Sequence, residues 1–238
     1  LRKIAIVNFK GGTGKTTTAV NLSYALSLKK YKVLIIDCDT QGTVANWFNL
    51  INPKNTLYEL IAGQSKLKGC IYQVRNHLDI IPSNKYLARI ELKLVKEKDI
   101  EKTFNKKFKS IRGYDVVFLD CPPSLNIINL NALEYADEVF LPVSMDYLAL
   151  RGIKQVIELI PQNTKISKII PTFYDQRTRK SKEILEDLES FFKDKVTNPI
   201  RINVRLSECS SFHKTIFEYD PKCRGAIDYE ILAREITK

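Results

Sequence analysis

Apolar residues in this chain of 238 residues gather into short unbroken runs instead of alternating with polar ones. Runs rich in Ile, Val and Leu predict strands over residues 3–9, 32–37, 78–82, 115–120, 138–143 and 168–173. A strand that is apolar without alternation is covered on both faces, as in a parallel sheet. Between the runs, residues 16–28, 128–135, 148–160, 180–192 and 226–236 read as helices. This succession predicts an α/β fold: a doubly wound, mainly parallel sheet flanked by helices, with ligands at the carboxyl ends of the strands. No repeat, low-complexity tract or linker divides the chain, so residues 1–238 read as one domain with one core. Lysines and glutamates mix between Lys85 and Lys109, as on a solvated helix face with local ion pairs.

The first predicted strand leads into Lys10-Gly11-Gly12-Thr13-Gly14-Lys15-Thr16-Thr17 and then into the first predicted helix. Strand, glycine-rich turn and helix together form a phosphate cradle. Glycines let the chain wrap closely, backbone N–H groups point inward, and the helix start adds its positive dipole end. Lys15 would reach the β- and γ-phosphates, and the Thr16 hydroxyl would bind Mg²⁺. The pattern G-x-x-x-x-G-K-[ST] is not met, because Phe9 stands where its first glycine belongs and Lys10 adds a second lysine.

Two further segments carry carboxylates. Asp37 and Asp39 end the second predicted strand, and positions i and i+2 share a face of an extended chain. Helix capping is the alternative for Asp37. Asp120 follows Val116-Val117-Phe118-Leu119 and precedes Cys121-Pro122-Pro123-Ser124, an arrangement in which the carboxylate holds Mg²⁺ directly or through water.

With these residues the chain resembles the deviant Walker-A ATPases of the ParA/MinD family, whose signature is K-G-G-x-G-K-[ST]. Thr40-Gln41-Gly42 is similar to the family's D-x-D-P-Q-G switch, with Thr40 in place of proline. Asp120 to Ser124 resembles its second switch, and Asn126 to Leu133 continues the likeness. Pro171-Thr172-Phe173-Tyr174-Asp175-Gln176-Arg177-Thr178 resembles T-x-Y-D-x-R-T. Asn203-Val204-Arg205-Leu206-Ser207-Glu208 matches N-V-R-L-S-E, and Tyr219 to Ala226 matches Y-D-P-x-S-x-G-A with Cys223 for serine. Cys209-Ser210-Ser211-Phe212-His213-Lys214-Thr215 departs from A-P-S-H-G-K-P.

The resemblance implies an Mg²⁺-dependent ATPase, slow without a partner, that forms a homodimer around ATP. Gly11, Gly12, Thr13 and Gly14 would wrap the phosphates, Lys15 would hold the β/γ oxygens, and Thr17 the α-phosphate. Thr16 and Asp120 would hold Mg²⁺, Asp120 through water, and Asp39 would position the attacking water. Lys10 would act in catalysis and nucleotide binding across the dimer, supplying charge to the partner's site. Pro171 and Phe173 would lie near the adenine. Arg177 and Arg205 would contact DNA nonspecifically in the ATP-bound dimer, and a ParB-like protein would stimulate hydrolysis. With no DNA-reading domain before the cradle, the likeness is to short, chromosomal-type members. The implied role is chromosome or plasmid partition; the alternative is a MinD-like or orphan ATPase that positions a membrane-associated or protein cargo.

Net charge of +11 suits a polyanionic partner. No apolar run approaches a membrane span, no secretory pattern opens the chain, and the tail mixes acids among its apolar positions. Cytoplasmic location, nucleoid-associated in the ATP state, and no stable membrane association are expected. Cys38, Cys70, Cys121, Cys209 and Cys223 are odd in number and lack C-x-x-C spacing, so neither a disulfide frame nor a metal cluster is expected. His77 and His213 have no ligand spacing and read as incidental.

Overall fold

The computed structural model describes residues 1–90, 99–147, 149–162 and 164–237. Seven strands form one sheet: β1 (Arg2–Ile6), β2 (Val33–Asp37), β3 (Tyr72–Arg75), β4 (Leu78–Ile81), β5 (Val116–Asp120), β6 (Glu138–Ser144) and β7 (Lys165–Thr172). Their order is β3-β4-β2-β5-β1-β6-β7, parallel except where β3 runs against β4. The edge strand β3 escapes the sequence pattern because Tyr72-Gln73-Val74-Arg75 is mixed in polarity and only partly buried.

The unbroken apolar runs have the cause expected of them. Ala5, Leu34, Ile36, Val117, Leu119 and Val139 pack on one side of the sheet, while Ile4, Ile6, Val33, Ile35, Phe118 and Phe140 pack on the other. Both faces are covered, so the central strands are apolar without alternation, apart from Arg2 and Lys3 at the start of β1 and the aspartates that end β2 and β5. One side is covered by α3 (Leu57–Ile61), α4 (Thr103–Lys107), α5 (Ile127–Tyr135), α6 (Ala149–Leu159) and α7 (Arg179–Phe192). The other is covered by α1 (Lys15–Leu28), α2 (Thr43–Trp47), α9 (Ile216–Tyr219) and α10 (Arg224–Glu235). Short α8 (Val204–Glu208) sits near the end of β7.

Three boundaries differ from expectation. β1 ends at Ile6, because Asn8 turns away to bond Pro142 O through its Nδ2. β7 begins earlier, at Lys165, and stops at Thr172; Phe173 adopts a left-handed φ of 54° that no strand can hold. Helices α2, α3 and α4 have five residues each, too short to show a period in sequence. Of the charged stretch from Lys85 to Lys109, residues 91–98 lie outside the described residues, as does Leu148 at the start of the predicted helix 148–160.

The tail helix α10 docks on the core through buried Ala226, Tyr229, Leu232 and Ala233. Among the described residues no helix is long and apolar enough to cross a membrane. Beyond β7, isolated bridges join Ile169 to Val196 and Tyr174 to Arg201.

Candidate nucleotide site

Parallel strands bring their carboxyl ends to one edge of the sheet, and the predicted chemistry collects there. Between β1 and α1, Gly12 and Gly14 take left-handed φ values of 71° and 84°. Gly14 is also the N-cap of α1, where no side chain caps the helix and no acid occupies the first turn. The positive helix end is therefore open toward the loop. Thr172 Oγ1 donates to Thr13 O at 3.0 Å, and Asn8 Oδ1 takes the Lys10 N–H at 2.9 Å, so strands β7 and β1 set the loop's shape.

Lys15 is buried and its Nζ donates to Lys10 O at 3.1 Å. Burial lowers its pKa, opposed by the nearby Asp120, Cys121 and Asp39. Thr16 Oγ1 donates to Asp120 Oδ2 at 2.7 Å, while Asp120 Oδ1 is buried without a hydrogen-bond partner among the described residues. A buried carboxylate oxygen left unpaired is costly, and burial pushes Asp120 up to about 7. Thr13 Oγ1 is buried and unpaired as well. These orphaned oxygens, on a hydroxyl and a carboxylate beside an open helix end, are hard donors and fit Mg²⁺ with a phosphate chain.

The two aspartates of β2 separate. Asp37 is fully buried and accepts from Asp39 N and Val44 N, so it holds the first turn of α2. Burial and the facing Asp120 raise its pKa well above the ordinary range. Asp39 is half-buried, near enough to Lys15 and Asp120 to perturb both, and its Oδ1 takes the Gln41 N–H at 3.0 Å. Gly42 then turns at φ 63°, with its backbone against Ser83 O.

Lys10 Nζ pairs with Asp146 Oδ2 at 2.5 Å, where Ser144 Oγ also donates to that oxygen, and its side chain remains 37% exposed.

A cavity of about 280 Å³ adjoins the loop, lined by Gly14, Thr17, Thr172, Phe173, Ile200, Tyr229 and, from the following segment, Arg201 to Val204 with Leu206 and Ser207. It is apolar and the right size for a purine. Phe173 is at its mouth, but Pro171 is not in its lining: Pro171 lies in β7 opposite Val143, and its carbonyl takes the Ile200 N–H at 2.8 Å. Ile200, Asn203, Val204 and Tyr229 escaped sequence reasoning, because they reach the cavity from segments far along the chain.

Arg177 and Arg205 are both exposed, and each holds a carboxylate of its own chain. Arg177 forks onto Asp175, drawing that carboxyl down to about 2. Arg205 pairs with Glu208 at 3.2 Å and with Asp220 at 3.7 Å, over the ring of Tyr219.

A family model described as an AAA domain matches residues 1–170. The chromosome-partitioning ATPase Soj of Treponema pallidum is 38% identical over 246 residues, covering 99% of this chain and 97% of that protein. A plasmid partition protein from Borrelia burgdorferi B31 bound to AMPPNP superposes with a TM-score of 0.88 at 26% identity, covering 99% of this chain and 98% of that one. The septum site-determining protein MinD of Pyrococcus horikoshii, complexed with Mg-ADP, gives 0.84 at 26% identity, over 100% and 96%. Cradle, carboxylates and relatives agree: the chain belongs to the ParA/MinD family of P-loop ATPases.

Proposed function

We propose that this protein is a Mg²⁺-dependent DNA-partition ATPase. It dimerises around ATP, binds duplex DNA nonspecifically in that state, and is reset when a ParB-like partner stimulates hydrolysis. The observation that carries the reading is the division of labour between two lysines in one loop. Lys15 is buried with its Nζ on the loop's own carbonyl at Lys10, while the Lys10 side chain is half exposed in an ion pair with Asp146. A half-exposed cation in this loop can be offered to a neighbour's site.

Lys15 exchanges Lys10 O for the β/γ oxygens, and the loop N–H groups from Gly11 to Thr17 receive the rest of the phosphate chain. Thr16 and Asp120 would hold Mg²⁺, Asp120 through water, which would give the orphaned Oδ1 a partner; bound there, the metal would supply neutralisation of phosphate charge. Asp39 orients water for attack on the γ-phosphorus, the ADP oxygen leaves, and no covalent intermediate forms. Lys10, entering from the second subunit, adds charge as an arginine finger does. The base occupies the cavity between Phe173 and Tyr229. Arg177 and Arg205 exchange their carboxylates for DNA phosphates, releasing counterions without reading bases. In the ATP-bound form the protein associates with the nucleoid.

ATP turnover measured with and without duplex DNA and the stimulating partner tests this reading, and strong joint stimulation is expected. The Lys10→Ala variant should bind ATP yet lose ATP-driven dimerisation and most turnover. Turnover by that variant at the native rate refutes the cross-subunit role.

A further inference from the structure

His213 is the exposed residue that closes the turn after α8, and it does so in a left-handed conformation, φ 56° and ψ 36°. Left-handed backbone is rare for residues with a side chain, so the ring is directed by its surroundings. His213 Nδ1 lies 2.5 Å from Asn46 O, in the last turn of α2. A carbonyl only accepts, so Nδ1 carries the proton and donates. The backbone of His213 is fixed as well: its N–H donates to Ser210 O, and Arg75 Nη2 donates to its carbonyl. Arg75 itself is clamped between Glu218, at 2.6 Å, and the ring of Phe48, which follows α2.

The two ends of this contact lead to different parts of the molecule. At its other end α2 is held by the Asp37 carboxylate, whose Oδ2 takes the Val44 N–H, and by the Asp39 main-chain carbonyl, which takes the Gly42 N–H just before the helix. On the His213 side, the turn Cys209–Phe212 runs directly out of α8, which carries Arg205. Phe212 stacks on Tyr219 at 5.2 Å, the same ring that lies under Arg205. Beneath both, Cys209 shares an apolar cluster with Val44, Trp47 and Phe48.

We infer that His213 is a positioning residue: its bond to Asn46 passes the state of the phosphate end of the site to the arginine turn α8. This rests on the ATP-gated DNA binding proposed above. Helix α8 also borders the base cavity, through Val204, Leu206 and Ser207. That wall responds to any adenine nucleotide, because ATP and ADP share a base. Helix α2 is anchored at Asp37 and Asp39, on the side of the site where the γ-phosphate is proposed to lie, so it can distinguish them. Within one subunit the strap through His213 therefore carries to Arg205 a difference between ATP and ADP that the cavity wall does not.

Two variants isolate the bond. His213→Gly keeps the left-handed turn without strain and removes the donor. His213→Asn also tolerates this backbone and places an amide Nδ2 at the same number of bonds from Cα as His Nδ1, so it restores a donor. The first readout is the ratio of duplex-DNA affinities with AMPPNP and with ADP. His213→Gly should lower this ratio roughly three- to tenfold, the range that one hydrogen bond supports, with AMPPNP affinity unchanged. His213→Asn should stay within about twofold of wild type. The second readout needs no DNA: the difference in amide exchange at Val204–Glu208 between the AMPPNP and ADP forms should shrink in His213→Gly and persist in His213→Asn. A ratio and an exchange difference unchanged in His213→Gly overturn the inference, as does His213→Asn behaving like His213→Gly. If wild type shows no ATP-gated DNA binding, the functional reading fails, and the exchange arm still decides the strap.

Discussion

Gly42 is where the nucleotide-facing loop is pinned to the sheet, and adding one methyl group there tests that contact. A Cβ on Gly42 would come 2.7 Å from Ser83 O and 3.4 Å from Ser83 C, distances that require backbone to move. Gly42 also has φ 63°. Left-handed backbone costs an alanine about 1–2 kcal/mol, of which roughly 0.4–1 kcal/mol is returned through lower entropy of the unfolded chain. Displacing packed backbone adds about 1–3 kcal/mol. The Gly42→Ala variant should thus lose roughly 2–4 kcal/mol. Gly113 supplies the control, since its φ is 80° but nothing lies within 4 Å of an added Cβ. Gly113→Ala bears the conformational cost alone, about 1 kcal/mol. Urea denaturation measures both, and the midpoint should shift without a change in slope. In thermal melts the Gly42 variant should fall roughly 5–12 °C, at about 2–4 °C per kcal/mol for a domain of this size. Displacement of the turn also moves Asp39, whose carbonyl accepts from Gly42 N, so turnover should drop more than nucleotide affinity. Equal destabilisation of the two variants would falsify the steric argument, leaving backbone conformation as the whole effect.

Other expectations follow from the site. Asp120→Asn should stabilise the nucleotide-free protein while abolishing Mg²⁺-dependent nucleotide binding. Because the folded pKa of Asp120 is raised to about 7, its stabilising contribution is complete below the unfolded value near 4 and disappears as pH rises through 7. Wild type should lose on the order of 1–3 kcal/mol relative to the Asn variant across that window, and superimposable pH–stability curves would contradict this. Arg177→Ala and Arg205→Ala should each weaken DNA binding uniformly across sequences and lower the salt slope by about 1 for each phosphate no longer neutralised; a sequence-dependent effect would argue against backbone binding. Tyr229→Phe removes the hydroxyl that meets Thr18 Oγ1 at 3.2 Å, and should cost about 1 kcal/mol in denaturation with turnover little changed. A large drop in turnover would assign the hydroxyl a direct role.

Much of the molecule was legible in sequence because of how its core is built. Strands dry on both faces leave unbroken apolar runs, so β2, β5 and β6 could be placed nearly to the residue. The loop that carries Lys10, Lys15 and Thr16 was legible because it is local, a single turn between one strand and one helix, with Asp120 at the end of a neighbouring strand bonded to Thr16. The apolar cavity beside the loop was hidden for the opposite reason: its walls come from β7, the segment after Ile200 and α10, and no local pattern encodes their meeting. Pro171 and Phe173 illustrate the limit. They are neighbours but one in sequence, yet a left-handed turn at Phe173 puts that residue in the cavity lining and leaves Pro171 in the sheet. The local ties of Arg177 and Arg205 had a visible signal, carboxylates two and three residues away. His213 had one too: the pattern A-P-S-H-G-K-P carries glycine at its position, a mark of left-handed backbone that few residues with a side chain adopt.

The bridges beyond β7 have a further consequence. An edge strand leaves a row of unpaired amides and carbonyls that invites pairing with another molecule. Here the stretch around Val196–Arg201 lies along that margin and continues into the wall of the apolar cavity. One segment thus covers part of an open sheet margin and lines the hollow proposed for the base. If nucleotide fills that hollow the cover should tighten, so storage with nucleotide should keep this protein in solution longer than storage without it.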